Sequence, residues 1–350
     1  MNDNYFIIYF SAILLSFLLA VGLTPLVKRV ARRFDVMDKP QAAERKIHQK
    51  PVPFMGGWAI FIAVFFGVFI FRYFRLADFS LINDCLLWGI FASCLTLMIG
   101  GTIDDKYNLK PQQQIFFPLI AVAIVLLSGL HITFITNPLS QTGAVLLIGK
   151  YLGVVIVFFW LLGMIYTTKF LDGLDGLVAG VATIAALFIF IVSLRWDAPL
   201  SATGIWALLL AGASLGFLVY NWRPASIFLG EGGSVFIGFL LGILSIVSGS
   251  KIITTLLVMG LPALDVLFVI IRRLISGKSP FAGDRNHLHY RLLNLGLSHT
   301  QAVWLLWLIA LAFGSLGIIS TSYGKMILII CLILVMGIIS AALWVKSKRA

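Results

Sequence analysis

The sequence predicts an all-α, polytopic integral membrane protein with about eleven transmembrane helices, its N-terminus outside and its C-terminus cytoplasmic. Three observations lead there. Of 350 residues, 60% are hydrophobic and 11% are charged, whereas a soluble domain carries about 25% charged residues. Apolar runs recur at the length, about 20 residues, that a helix needs to cross the hydrocarbon core. Lysine and arginine collect in alternate loops, the asymmetry that marks a cytoplasmic face. Cys85, Cys94 and Cys331 all lie in apolar runs and read as small packing residues. With short polar loops, no low-complexity tract and no convincing repeat, residues 1–350 read as a single integral membrane domain.

The first apolar run, 4–27, lies in the segment that begins "MNDNYFIIYF". It lacks the basic start and the cleavage site of a signal peptide, so it is expected to remain as a span. The next runs are 54–74, 85–103, 113–130 and 144–166; Lys150 interrupts the last of these and would snorkel outward. Then come 177–194, 203–220, 234–249 and 252–271, the latter two separated by a tight "GSK" turn, and finally 301–320 and 325–345. Alternation puts loops 28–53, 104–112, 167–176, 221–233 and 272–300 and the tail 346–350 on one side, with 20 of the 26 Lys and Arg residues. That side is expected to be cytoplasmic. The acids sort with it. Asp35, Asp38, Glu44, Asp104, Asp105, Asp172, Asp175, Glu231 and Asp284 lie there, and Asp265 sits late in a span heading toward it. Asp3, Asp78, Asp84 and Asp197 face the other way. A transporter more often keeps its charges near the midplane. A one-sided array suits an enzyme that joins a cytosolic substrate to a lipid.

Five stretches carry candidate chemistry. In "RKIHQKPVPFMGG", lysines suit anionic headgroups. Pro51 and Pro53 also stiffen the chain, and Gly56 and Gly57 open a helix with bare N–H groups, a natural anion site beside Lys46, His48 and Lys50. In "GGTIDDKYNLKP", one Asp would serve as a cap, but Asp104 and Asp105 repel each other. A cation relieves that repulsion, and Mg²⁺ takes one or two carboxylates and leaves room for phosphate oxygens. In "KFLDGLDGLVAG", acids end a lipid-soluble run, a functional signal by default. Asp172 and Asp175 would share a helical face, with Leu171, Leu174 and Leu177 keeping the stretch helix-compatible; a glycine-containing turn is the alternative. In "NWRPASIFLGEGGSVFIG", Glu231 opens a span, where an acid is favoured by the helix dipole and is also a candidate metal ligand. In "RRLISGKSPFAGDRNHLHYRLLNLGLS", His287 and His289 would point one way if extended. A zinc site with Asp284 lacks a fourth ligand; phosphate or sugar contacts with Arg285 and Arg291 suit the stretch better, and Arg272 and Arg273 suit topology anchors. The inventory fits metal-assisted phosphoryl transfer, where catalysis is mostly positioning and charge neutralisation.

In this order, from about Asp38 to Ser298, the five motifs resemble those of the polyprenyl-phosphate N-acetylhexosamine-1-phosphate transferases. The last motif is similar to that of the undecaprenyl-phosphate GlcNAc-1-phosphate branch, and an eleventh span suits that branch. The resemblance implies that a UDP-N-acetylhexosamine and undecaprenyl phosphate give undecaprenyl-pyrophosphoryl-sugar and UMP, with Mg²⁺, or Mn²⁺ in its place, neutralising the pyrophosphate. By motif position, Asp104 would be the base or would orient the lipid phosphate, and Asp105 would support it and help hold the cation. Asp172 and Asp175 would position metal and nucleotide, and Glu231 would stand at a metal ligand. His287 and His289 would contact the sugar nucleotide, with Lys46, His48, Lys50, Lys169, Asn221 and Arg285 as further substrate contacts. The implied setting is the bilayer of a bacterial inner membrane, with the site on the cytoplasmic face. The resemblance suggests no nucleic-acid partner and admits a homodimer that no motif demands.

The chain departs from the family at telling places. Two asparagines usual three and six residues before the first Asp of the "DGLDG" stretch are here Lys169 and Tyr166, the usual Gly-Asp aspartate is Glu231, and a usual basic residue is Gln114. The nearer asparagine and that aspartate are the family's Mg²⁺ ligands. A charged ammonium donates and cannot coordinate a cation. Lys169 and Glu231 are therefore expected to form an ion pair where part of the metal site would lie. The site would be metal-weak, shifted toward Asp104 and Asp105, or inactive. The competing readings are a non-catalytic relative that binds polyprenyl phosphate, a muramoyl-pentapeptide-type transferase, and a transporter of anionic lipid or nucleotide sugar. The sequence fixes neither the sugar nor the glycan it would initiate, whether teichoic acid, lipopolysaccharide or capsule.

Overall fold

In hydrocarbon every backbone N–H and C=O must find its partner within the protein, so apolar runs of this length become helices. The computed structural model describes residues 3–39, 51–136, 145–247, 252–277 and 287–347. It opens with α1 (Asp3–Arg33), which runs through Pro25 beyond its expected end and closes on Arg32 and Arg33, where the dipole favours cations. Strands β1 (Met37–Asp38) and β2 (Val52–Pro53) pair antiparallel and lead into α2 (Gly56–Tyr73). Helix α3 (Asp84–Tyr107) is capped by Asn83, whose side chain accepts the Leu86 N–H. The expected span at 113–130 is divided into α4 (Pro111–Gln114) and α5 (Phe116–Leu127). Strands β3 (Phe134–Thr136) and β4 (Val145–Leu147) pair antiparallel.

Helix α6 (Lys150–Leu171) corrects the expected span at 144–166. Residues 145–147 are strand, Lys150 is the first helical residue, and the helix continues through Lys169. Then follow α7 (Leu177–Trp196), α8 (Ala202–Asn221), α9 (Gly230–Val247) and α10 (Ile252–Ile275), with Pro262 inside α10. Short α11 (Leu288–Asn294) precedes α12 (His299–Ile319), whose Ser298 and Gln301 form a reciprocal capping box, and α13 (Ser322–Ser347) is the last described element. The expected "GSK" turn falls outside the described residues. Among the described residues, nine helices are long and apolar enough to span a membrane, and two further apolar stretches are shorter. The protein is thus an all-α multi-pass membrane protein.

The centre is formed by α7, α8 and α9, which bury most of their side chains, Trp206 among them. Helix α8 lies against α1, α2 and α7, and α9 lies against α3 and α6. Glycines set a close junction here. A Cβ on Gly57 would collide with Gly233 backbone, and one on Gly101 with Gly232 backbone. Small residues let membrane helices approach this closely, and the approach brings the start of α9 onto the end of α3.

Candidate active site

The ends of α3, α6 and α9 meet, and their acids meet with them. Asp105, in the last turn of α3, accepts the Glu231 N–H at 3.0 and 3.2 Å and so caps α9 from a neighbouring helix. Gly230, at φ 81°, supplies the left-handed turn that aims this N–H, in close contact with Asp105. Asp104 accepts the Leu109 N–H at 2.8 Å and both of its oxygens accept from Gln114 Nε2 at 3.0 Å. Gln114 Oε1 in turn accepts from Lys169 Nζ at 3.0 Å, and Lys169 Nζ lies 2.5 Å from Glu231 Oε1. The expected Lys169–Glu231 pair is present, largely buried, with side-chain exposures of 14% and 22%. It is one link in a chain running Asp104, Gln114, Lys169, Glu231 and, through the Glu231 N–H, Asp105.

Asp172 and Asp175 do not share a helical face. Helix α6 ends at Leu171, α7 begins at Leu177, and the residues between form a turn with Gly176 at φ 79°. Glycines at 173 and 176 make the turn cheaper than continued helix. Asn221 fixes the turn: its Oδ1 accepts the Gly176 N–H at 2.9 Å, and its Nδ2 donates to the Ile227 carbonyl at 3.0 Å. Asp175 Oδ2 accepts the Ala225 N–H at 3.2 Å and faces Arg223 at 3.9 Å. Asp172 is exposed on its outer side. Desolvation by the protein around its carboxyl, then the charges of Glu231 and Asp175, push its pKa up to about 7, a shift that solvent on the open side trims.

The bare N–H groups expected at the start of α2 are not bare. Gly56 and Gly57 donate their N–H groups to the Phe228 and Leu229 carbonyls at 3.0 and 2.9 Å, so neither is free for a ligand. Lys46, His48, Lys50 and Arg285 lie outside the described residues, as does Asp284. His287 and His289 are not an extended pair: His287 precedes α11 and His289 lies within it. Their rings nonetheless lie parallel, 5.9 Å apart. His289 is buried, with its Nε2 unpartnered among the described residues and close against Gly173 of the acidic turn. Burial, then His287 and His299, push its pKa down to about 3, so it is a neutral ring at physiological pH. His299, which the motifs did not single out, accepts the Asp175 N–H at 3.0 Å. Gln114, read in the sequence only as a lost positive charge, is the bridge between Asp104 and Lys169.

Hard carboxylate oxygens suit a divalent cation such as Mg²⁺. Asp104, Asp105, Asp172, Asp175 and Glu231 outnumber Lys169 and Arg223. Among the described residues, however, no three metal-capable side chains are gathered into a cage, and Glu231 faces an ammonium. This set fits a cation that takes one or two protein carboxylates and completes its shell with phosphate oxygens and water.

Fold and site together define a class: a multi-pass helical membrane protein with a composite acidic centre where several helix ends meet. The chain belongs to glycosyl transferase family 4, whose model matches residues 87–249. Over its whole length it is 31% identical to the probable undecaprenyl-phosphate N-acetylglucosaminyl 1-phosphate transferase of Bacillus subtilis (strain 168), covering 96% of that protein. It is 30% identical, over 89% of this chain and 82% of the relative, to the decaprenyl-phosphate N-acetylglucosaminephosphotransferase of Mycolicibacterium smegmatis. To the undecaprenyl-phosphate alpha-N-acetylglucosaminyl 1-phosphate transferase of Escherichia coli (strain K12) it is 27% identical, over 84% of this chain and 78% of the relative. All three are named for N-acetylglucosamine phosphate transfer, the branch to which the last sequence motif points.

Proposed function

We propose that this protein transfers GlcNAc 1-phosphate from UDP-GlcNAc to undecaprenyl phosphate at the cytoplasmic face of a bacterial inner membrane, giving undecaprenyl-pyrophosphoryl-GlcNAc and UMP and initiating a cell-envelope glycan. The observation that carries the reading is the joining of Asp104, Gln114, Lys169, Glu231 and Asp105, from four separate segments, into one hydrogen-bonded chain. Full-length similarity to transferases of that name supports it.

A lipid-phosphate oxygen attacks the β-phosphorus of the UDP-sugar. The bond from that phosphorus to the bridging oxygen breaks, and UMP leaves with the electron pair. Asp104, held by Gln114 and the Leu109 N–H, is a fixed acceptor for a proton on the lipid phosphate and orients it for in-line attack. Lys169 supplies positive charge to phosphate oxygens while Glu231 holds its ammonium in place. Asp172 and Asp175 face the nucleotide side. Mg²⁺, held by Asp105 or Asp172, would neutralise charge that develops on the pyrophosphate. An apolar groove of about 450 Å³ between α6 and α10 starts beside this chain, lined by Tyr166, Thr167, Phe170 and Leu267 among others. It offers the polyprenyl tail a path along the bilayer.

The test is incubation of purified protein with radiolabelled UDP-GlcNAc and undecaprenyl phosphate. Butanol-soluble label with stoichiometric UMP is the expected result, lost in Asp104→Asn while the variant stays folded. The Lys169–Glu231 pair favours one second reading, a relative that binds polyprenyl phosphate without turnover; lipid binding with no label transfer would select it.

A further inference from the structure

Asp265 is buried in the last part of α10 and belongs to none of the five motifs. Both of its oxygens reach the segment that starts α11. Its Oδ2 lies 2.9 Å from His287 Nδ1, and its Oδ1 accepts the Leu288 N–H at 2.9 Å. An ionised carboxylate only accepts, so it places a proton on His287 Nδ1 and leaves Nε2 for another partner. The imidazole has two near-parallel ring neighbours. It stacks on Phe170 at 5.3 Å with an interplanar angle of 18°, and on His289 at 5.9 Å with 3°. Phe170 directly follows Lys169, so this stacking ties the imidazole to the helix end that carries the ion pair.

We propose that Asp265 is a positioning residue: it holds His287 with Nδ1 protonated and presents Nε2 to a phosphate oxygen of the UDP-sugar. The inference rests on the transferase reading and deepens it. When the Asp265 carboxylate behind the ring and a phosphate in front of it both accept, the ring donates from Nδ1 and from Nε2, and both hydrogen bonds are charge-assisted. Among the described residues, Asp265 from α10, Phe170 from α6 and His289 from α11 face His287; Arg291, one turn further along α11, adds its charge near Asp265. His289, a buried neutral ring, is a spacer in this arrangement and not a second cation.

The experiment is a double-mutant cycle on the full chain in detergent, with UDP-GlcNAc as titrant in calorimetry and label transfer as a second readout. Asp265→Asn presents an amide to Nδ1 and removes the anion; His287→Gln removes the ring. Each is expected to weaken UDP-GlcNAc binding by about tenfold to a hundredfold, the double variant no more than the worse single, and Asp265→Glu to recover part of the loss. A purely structural Asp265 would instead lower the folded fraction and Tm, leave the affinity of the folded remainder intact, and give effects that add; that result overturns the inference. Should Asp265→Asn fail to fold, Asp265→Glu with His287→Gln completes the cycle, and additivity there overturns it equally. If the parent binds and transfers UDP-GlcNAc and Asp265→Asn matches it, the inference falls alone. If the parent neither binds nor transfers it, the inference falls with the transferase reading.

Discussion

Lys169 and Glu231 depart from the family pattern together, and the structure gives the reason: each is the other's partner at 2.5 Å. Removing one side of a pair this buried strands a charge and costs about 3–5 kcal/mol, so single substitutions are poor probes. The double variant Lys169→Asn with Glu231→Asp exchanges the pair for two oxygen donors. It is expected to steepen the Mg²⁺ dependence of transfer and to bind Mn²⁺ more tightly by electron paramagnetic resonance; identical titrations in parent and variant would sink the idea. Asp172 gives a second prediction at this scale. Its pKa is raised from 3.8 to about 7 by desolvation, Glu231 and Asp175. Below about pH 4 folded and unfolded chains both hold it neutral. As pH rises toward about 7, the unfolded chain ionises freely while the folded protein resists, so stability is lost across that window. Asp172→Asn is therefore expected to raise Tm by a few degrees at pH 8, by progressively less toward pH 4, and to lower transfer at every pH. The ion pair was legible in the sequence because a new ammonium at one ligand position meets a retained, longer carboxylate at the other. The Asp265–His287 contact was not, because its partners are 22 positions apart and neither departs from an expected pattern.

Helix existence was legible in all eleven apolar runs, since hydropathy reports it directly. Helix ends were not, because they are set by contacts that periodicity does not record. Helix α6 starts at Lys150 because residues 145–147 pair with β3. The acidic turn at 172–176 reads as helix by its leucine spacing, yet its glycines and the Asn221 bond to Gly176 hold it open. The glycines that open α2 looked like anion ligands; the neighbouring backbone takes their N–H groups instead. The last two misreadings share one physical source: glycine serves close packing and left-handed turns as readily as ligand approach. The junction of α3 with α9 yields the matching prediction. Gly101→Val would drive side-chain atoms into Gly232 backbone and part Asp105 from the Glu231 N–H. Overpacking of this kind costs about 1–3 kcal/mol or more, so Tm and transfer should both fall sharply. Gly22→Ala, on α1 with nothing within 4 Å of the added carbon, should change neither. Equal behaviour of the two variants would show that the α3–α9 contact does not set the site.

At the scale of the molecule, one helix links the two membrane faces and turns orientation into a measurement. Cys85 is exposed at the start of α3, and Asp104 lies near its end. Nineteen residues of α-helix rise about 28 Å, close to the ~30 Å of a hydrocarbon core, so the two must lie at opposite interfaces. From the charge asymmetry of the loops we propose that the Asp104 end faces the cytoplasm. The donor we propose, a UDP-sugar, carries charges that do not cross a bilayer unaided, so a site open to the cytoplasm and an outward Cys85 are one prediction. In a Cys331→Ser background, Cys85 of intact cells with a permeabilised outer layer should react with a membrane-impermeant maleimide. In a background with Cys85→Ser as well, Gln301→Cys, exposed in the first turn of α12, should react only after the inner membrane is opened. The reverse labelling would turn the acidic centre away from any pool of UDP-GlcNAc. The same chain of residues would then have to act on a phosphate presented from outside, and the transferase reading would fail at the level of the whole protein however well its residues fit.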